Sequence, residues 1–191
     1  NRPINYAPVK RMNYKEMQTA EGRKPIQDAI DRIIDANIGS GRNSGLIHAV
    51  SNKYRENILT ESRWREIMTP DANEHAAKIA RGQASVLVAA NLTEGWDGVD
   101  DLCRFIIMRK VPYPNLKDER TKRRAEHDSR TVDHMTLVAV VQGAGRGVRH
   151  KDDYCETWML DQAWEYPLYA KNKAWLPQSF TDAYYHKVKL Q

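Results

Sequence analysis

Residues 142–149 (QGAGRGVR) carry two arginines whose spacing suits the binding of phosphate. Arg146 and Arg149 stand three residues apart, and Gly145 and Gly147 flank the first of them. A guanidinium presents a planar fork of N–H donors to phosphate oxygens and stays charged at every physiological pH. Read alone, the segment allows two interpretations: an arginine pair that binds phosphate, or a glycine loop that binds a dinucleotide.

The dinucleotide interpretation fits the surrounding sequence less well. Apolar residues do precede the glycines, and Asp161 ends a later strand-like segment, as ribose binding would require. The third glycine of G-x-G-x-x-G, however, would fall at Val148. Residues 148–155 (VRHKDDYC) are also too short and too polar to form a crossover helix. The arginine-pair interpretation is therefore favoured.

A complete nucleotide site is not encoded in this sequence. No G-x-x-x-x-G-K-[ST] motif occurs, and the glycines of residues 39–45 (GSGRNSG) are not accompanied by a lysine followed by serine or threonine. No strand-like segment ends in an Asp-Glu pair that could hold magnesium. Arginines without a phosphate cradle fit a domain that supplies them across an interface.

Residues 91–97 (NLTEGWD) form a second polar cluster, directly after an apolar segment. Ligands of open α/β sheets gather at the carboxyl ends of strands, where Glu94, Gly95 and Asp97 would lie. Glycine permits a close backbone approach, and carboxylates can orient arginines or water. The alternative is an ordinary β–α turn rich in capping residues.

His48 and Ser51 lie at the end of another apolar segment, residues 46–50 (LIHAV). A single histidine at a strand end is usually structural. Ser51 could bind a ligand or serve only as the N-cap of the helix that follows.

Apolar residues at helical spacing predict a helix over residues 25–38, with Pro25 at its start. Further helices are predicted over residues 52–63 and 71–83; residues 115–128 are compatible with a helix, and residues 132–141 with a helix or a strand. The predicted strands are residues 4–9, 46–50, 67–69, 86–90, 104–111 and 156–160. This alternation predicts one α/β domain over residues 1–191, with a mostly parallel sheet, helices on both faces and an aromatic tail, residues 162–191, packed on it.

Composition narrows the class of protein further. The net charge of +5 favours an anionic partner. The basic run at residues 117–124 (KDERTKRR) also contains acids, so it fits either a solvated helical face or a nucleic-acid patch. No long apolar run predicts a membrane span, and a cytoplasmic location is expected. Cys103 and Cys155 are too few for a structural zinc site and are expected to be free thiols.

In order along the chain, these segments resemble the C-terminal helicase domain of superfamily 2, in the XPD/DinG-like branch. Residues 46–51 resemble motif IV, residues 86–98 resemble motif V with its E-G-x-D core, and residues 142–149 resemble motif VI, Q-x-x-G-R-x-x-R. Residues 104–115 (RFIIMRKVPYPN), 152–154 (DDY) and 159–161 (MLD) resemble the intervening and trailing elements. The chain departs from the pattern at Trp96, at Cys155, and after Asp161, where a common arginine is absent.

The resemblance implies a RecA-like, three-layer α/β/α domain that faces an N-terminal RecA-like domain across a cleft. That first domain would hold most of the ATP and Mg²⁺, while Arg146 and Arg149 would reach the γ-phosphate. Gln142 and Gly145 would lie on the nucleotide side of the cleft.

The resemblance also implies that Glu94, Gly95 and Asp97 bind at the nucleotide, and that Glu94 and Asp97 couple the nucleotide state to the DNA side by orienting the two arginines. Ser51, Asn91 and Thr93 are the predicted contacts to the backbone of single-stranded DNA, which position a strand without reading its sequence. The alternative function is a non-catalytic RecA-like module that binds nucleic acid or a protein.

Overall fold

A parallel β-sheet forms the centre of the computed structural model, which describes residues 2–90, 96–185 and 188–190. Within those ranges the sheet has seven strands in the order β3-β4-β2-β5-β6-β1-β7, and each neighbouring pair is parallel. The strands are β1 Ile4–Lys10, β2 Ser44–His48, β3 Met68–Thr69, β4 Ser85–Ala89, β5 Phe105–Met108, β6 Glu156–Asp161 and β7 Tyr184–Tyr185. Their carboxyl ends share one edge of the sheet.

Helices connect the strands and cover both faces of the sheet. They are α1 Ala20–Gly39, α2 Asn52–Glu61, α3 Ala72–Ala80, α4 Glu119–His127, α5 Arg130–Ala144, α6 Ala170–Asn172 and α7 Gln178–Asp182. The first four begin at a polar N-cap whose side chain accepts a hydrogen bond from a backbone N–H of the first turn; these caps are Thr19, Ser51, Asp71 and Asp118. Such caps satisfy donors that have no partner inside the helix.

Two predicted boundaries need correction, and one open assignment is decided. Helix α1 begins at Ala20 rather than Pro25, because Thr19 caps an earlier turn and Pro25 lies within the helix. Residues 132–141 belong to helix α5, which buries one face against the sheet. Strand β5 ends at Met108 instead of continuing to residue 111, since Met108 pairs with His48, the last residue of β2.

Two apolar clusters fill the space above and below the sheet. Successive strand residues point to opposite faces, so Leu46 and Ile106 join one cluster while Ile47 and Ile107 join the other. Helices α1 and α2 cover the second cluster, and α5 covers the first. The predicted three-layer α/β/α architecture with a mostly parallel sheet is therefore confirmed.

The aromatic tail contributes to the first cluster. Trp164 is fully buried, and its ring lies 5.6 Å from that of Tyr169 and 5.8 Å from that of Phe180, measured between centroids. The Trp164 indole N–H donates to the Tyr184 hydroxyl at 3.0 Å. In the described part of the chain, no helix combines the length and apolar character needed to cross a membrane.

Candidate functional site

The two arginines of residues 142–149 lie against the segment that follows strand β4. Arg146 is in the 3₁₀ turn Gly145–Gly147 directly after α5, and its Nη1 donates to the carbonyl oxygen of Trp96 at 2.7 Å. The backbone N–H of Gly98 donates to the carbonyl oxygen of Arg146 at 3.2 Å. Arg149 forms an ion pair with Asp97. The fold thus brings together two segments that are about fifty residues apart in sequence.

The environments of the two arginines differ in ways that matter for binding. Arg146 is 9% exposed, whereas the side chain of Arg149 is 41% exposed and its partner Asp97 is 61% exposed. An exposed ion pair contributes only about 0–1 kcal/mol. Arg149 can therefore exchange the Asp97 carboxylate for a phosphate at small cost, while Arg146 is held more firmly by the backbone.

His48 is the last residue of β2, and its ring lies against Gly143, two residues before the 3₁₀ turn that holds Arg146. Burial, followed by the positive charge of Arg146, lowers the pKa of His48 to about 4. An added Cβ on Gly143 would lie 2.6 Å from the Met108 methyl carbon and 3.4 Å from His48 Nε2. Helix α5 consequently packs directly on the ends of β2 and β5, which sets the position of this 3₁₀ turn.

The glycines beside the arginines permit close packing. A Cβ at Gly147 would lie 2.2 Å from Cys155 Sγ, and one at Gly98 would lie 2.4 Å from Cys103 Cβ. The two thiols are free and buried, with sulfur atoms 3.9 Å apart. Their mutual hydrogen bond, together with burial, raises the pKa of Cys155. Gly145 differs, because a Cβ there would meet only open space.

A network of charged side chains around Asp153 supports the 3₁₀ turn Gly145–Gly147, here called the arginine turn. Asp153 is buried and accepts hydrogen bonds from Arg104 Nη1 at 3.0 Å, from the Arg149 backbone N–H at 3.1 Å and from the Tyr154 backbone N–H at 2.8 Å. Burial raises the pKa of this carboxyl, but the backbone donors outweigh burial and lower the pKa below its ordinary value. Asp153 therefore fixes the start of the segment after Arg149.

A neighbouring pair completes this network. His150 Nε2 lies 2.8 Å from Asp100 Oδ1, a hydrogen bond that raises the pKa of His150. Asp100, His150 and Asp153 place three potential metal-ligand atoms within 4.8 Å of one another. Because Asp153 already accepts from Arg104 and two backbone donors, we interpret the group as an ion-pair network rather than a metal centre.

The remaining predicted site residues fall in two groups. Ser51 lies at the carboxyl end of β2, where its hydroxyl caps α2 by accepting from the Tyr54 backbone N–H at 3.3 Å. The preceding Val50 has φ +70°, a strained conformation for a β-branched residue. Gln142 is exposed on the last turn of α5. The other predicted residues, Asn91, Thr93, Glu94 and Gly95, lie outside the described residues, and all the assigned roles stay predictions.

Two residues at the carboxyl edge have structural importance that the sequence did not indicate. Asp161 is buried and accepts from the backbone N–H groups of Ala163 at 3.0 Å, Val111 at 3.2 Å and Met12 at 3.4 Å. It thereby ties together the segments after β6, β5 and β1. Arg109 is 2% exposed, and its guanidinium carbon lies 4.2 Å from the centroid of the Tyr54 ring. Burial lowers the pKa of Arg109.

Comparison with known proteins identifies a family that spans most of this chain. Residues 40–181 match the model of the helicase C-terminal domain. The chain is 28% identical over 127 residues to the ATP-dependent DNA helicase CHL1 of Saccharomyces cerevisiae, covering 55% of this chain and 15% of that protein. It is 30% identical over 146 residues to CHL1 of Vanderwaltozyma polyspora, covering 65% of this chain and 17% of that protein. The chain thus spans less than a fifth of the length of these relatives.

Solved structures show the same fold. A structure described as an XPD helicase superposes with a TM-score of 0.64 at 16% identity, covering 91% of this chain and 34% of that chain. The structure of S. tokodaii Xpd4 superposes with a TM-score of 0.62 at 16% identity, covering 96% of this chain and 38% of that chain. These likenesses agree with the parallel sheet and its helical layers.

Proposed function

This chain belongs to the helicase C-terminal domain family, in the XPD/DinG-like branch of superfamily 2, and on that premise we propose that it is the second motor domain of an ATP-dependent DNA helicase. Its partner would be an N-terminal RecA-like domain that holds most of the ATP and its Mg²⁺. The chain would close over that nucleotide and contact single-stranded DNA. The names of its relatives as ATP-dependent DNA helicases support this assignment.

The contact between the arginine turn and the segment after β4 carries the proposal. Arg146 and Arg149 are bonded to the adjacent residues Trp96 and Asp97, respectively, so both side chains reach the same segment, with Arg146 buried and Arg149 exposed. Arginine donors match phosphate oxygens, which makes this arrangement suitable for a triphosphate held by another domain.

In the proposed mechanism, cleft closure brings Arg149 to the γ-phosphate. Arg149 leaves Asp97 and donates to phosphate oxygens, whose negative charge it stabilises in the transition state. Arg146 stays fixed to the Trp96 carbonyl and adds a second positive charge. Arginine fingers contribute about 10³–10⁵ to the rate of related phosphoryl transfers. Gln142, on the last turn of α5, and Gly145, in the 3₁₀ turn that follows, would line the nucleotide side.

The same contact offers a route from the nucleotide to DNA. Asp97 follows Asn91, Thr93, Glu94 and Gly95 along the chain, and strand β4 precedes them at the edge where Ser51 also lies. When Arg149 changes its partner from Asp97 to phosphate, the segment after β4 loses one of its anchors. We propose that Ser51, Asn91 and Thr93 contact the DNA backbone. The change of partner by Arg149 would then alter how these residues bind single-stranded DNA.

The test is ATP turnover by the intact helicase that contains this chain. Arg146→Ala and Arg149→Ala should each lower DNA-stimulated turnover by about 10³-fold or more, because each removes a charge that stabilises the transition state. Arg65→Ala is the matched control, since Arg65 is an exposed arginine paired with Glu66 at 3.6 Å, away from the turn. Control turnover should match the unmodified enzyme.

Two outcomes would contradict the proposal. Unchanged turnover in both finger variants would reject the assignment of the arginines and favour a non-catalytic binding module. ATP hydrolysis by the 191-residue chain alone, abolished by Arg149→Ala, would reject a site divided between two domains. Circular dichroism should show that the variants remain folded, because neither arginine lies in the apolar clusters.

A further inference from the structure

A surface pocket between α5 and the tail combines aromatic and charged side chains. Its volume is about 440 Å³, and its lining consists of Asp128, Arg130, Thr131, His134 and Trp175. The indole of Trp175 is 44% exposed, and the centroids of the Trp175 and His134 rings are 6.3 Å apart at an interplanar angle of 63°. An indole exposed beside an open pocket offers a surface for a flat apolar ligand.

Polar contacts just before Trp175 hold the tail against α5 before any ligand arrives. Asn172 Nδ2 donates to Asp133 Oδ2 on α5 at 3.1 Å and to the Leu168 carbonyl oxygen at 3.0 Å. Lys171 Nζ lies 3.4 Å from the same Asp133 oxygen. These bonds pin the turn Lys173–Trp175 against the first half of α5. A preformed ring loses little conformational entropy when it binds.

Tyr113 relates the pocket to the carboxyl end of β6. It lies two residues after Val111, whose backbone N–H donates to Asp161 at 3.2 Å. Burial, then the charges of Asp161 and Asp133, raise the pKa of the Tyr113 hydroxyl. Asp133 is next to His134 on α5.

Positive charge borders the pocket. Helix α4 precedes it, has no buried residue, and contains four basic residues against two acidic ones: Arg120, Lys122, Arg123 and Arg124 against Glu119 and Glu126. Arg130 lines the pocket itself and forms a 2.9 Å ion pair with the exposed Asp128. A basic surface next to an aromatic ring is the combination that proteins use to bind single-stranded nucleic acid.

We propose that the Trp175–His134 pocket binds one unstacked base of a single-stranded nucleic acid, with the basic face of α4 contacting the flanking phosphates. The proposal rests on the proposed function and adds to it a base-stacking site beyond the predicted backbone contacts. Stacking on an aromatic face is tolerant of sequence, because every base presents a π surface. A protein partner is less suited, since a stable protein interface buries a far larger surface than this pocket offers.

The experiment compares two oligonucleotides that share a backbone and differ in bases. The 191-residue chain is titrated, with fluorescence anisotropy as the readout, against a fluorescent oligothymidylate and an abasic oligonucleotide of equal length. The unmodified chain should bind oligothymidylate about tenfold more tightly. Trp175→Leu should abolish that difference, whereas Trp175→Phe should retain most of it, because phenylalanine still offers a stacking face.

Tyr185→Leu is the matched control, since Tyr185 is 56% exposed but lies on β7 at the edge of the sheet. It should keep the full preference for oligothymidylate. His134→Leu provides a second variant of the pocket and should reduce the preference. Circular dichroism checks that each variant is folded.

Equal affinity of the unmodified chain for the two oligonucleotides would overturn the base-binding site, and so would a preference that survives both Trp175→Leu and His134→Leu. Absence of binding to either oligonucleotide would also overturn it. None of these results changes the ATP turnover of the Arg149→Ala variant, so the proposed function would be judged separately.

Discussion

The two arginines of the site are expected to play different roles because their surroundings differ. Arg146 is buried and bonded to a backbone carbonyl, whereas Arg149 is half-exposed and paired with a carboxylate. A backbone carbonyl cannot move away from its strand or turn, but an exposed carboxylate can be replaced by another anion. The proposed division between a fixed arginine and an exchangeable one follows from these partners.

The lowered pKa of His48 predicts that the stability of the chain depends on pH. Its pKa is about 4 in the folded chain and 6.5 ordinarily, so the unfolded chain binds a proton more readily. Stability from this difference is present above pH 7 and is lost as pH falls toward 4. Between pH 7 and pH 5 the histidine should lower the free energy of unfolding by about 2 kcal/mol.

Urea unfolding at both pH values measures this effect. His48→Leu should remove about 2 kcal/mol of the pH dependence, because leucine does not titrate. His127→Gln is the matched histidine substitution, since His127 is exposed on α4 and lies outside both apolar clusters. An identical pH dependence in the His48 variant and the unmodified chain would show that His48 is not a buried neutral group.

The pairing of β2 with β5 supports the site, because α5 packs on His48 and Met108, the last residues of these strands. Gly45 of β2 pairs with Phe105 of β5, and a Cβ on Gly45 would lie 2.2 Å from two atoms of the Phe105 ring. Phe105 is fully buried and has little room to move. The Phe105 ring can lie over residue 45 only because that residue has no side chain.

Gly45→Ala should therefore lower the free energy of unfolding by about 1–3 kcal/mol through overpacking. Gly39→Ala is a matched substitution, because a Cβ there meets nothing within 4 Å and the residue ends helix α1. It should be neutral or raise stability by up to about 1 kcal/mol. Chemical denaturation compares the two variants, and equal stabilities would contradict the packing argument.

The tail and the central sheet share one apolar cluster. Trp164 belongs to the same cluster as Leu46 of β2 and Ile106 of β5. Because the indole is fully buried, Trp164→Ala should lower the free energy of unfolding by about 3–5 kcal/mol. Unfolding followed by circular dichroism should still show one transition, since the tail and the sheet lose their packing together.

Trp175→Ala is the control for this substitution, because Trp175 lies in the same tail but is 44% exposed. Its loss of stability should be clearly smaller. A stability loss that is equal for the two variants, or a separate transition for the tail in the unmodified chain, would show that the tail does not share the cooperative core.

Much of the architecture was predictable because local patterns and the global fold agree. The strands and helices up to residue 90 follow periodicity closely, and Ser51 caps α2, which is one of the two roles that the sequence allowed it. Periodicity could not decide residues 132–141, since a short apolar run fits a strand or a buried helix equally well. The extra turn of α1 was missed because Pro25 is also a typical first residue of a helix.

Residue types at fixed spacing were enough to predict the fold class and the family, and they made Arg146 and Arg149 candidates for phosphate binding. The burial of Arg146, the pairing of Asp97 with Arg149 and the contact of Trp175 with His134 became visible only in the folded chain. Such contacts join segments distant in sequence, and they arise from packing on a common sheet. Spacing along the chain carries no information about burial or about partners brought together by that packing.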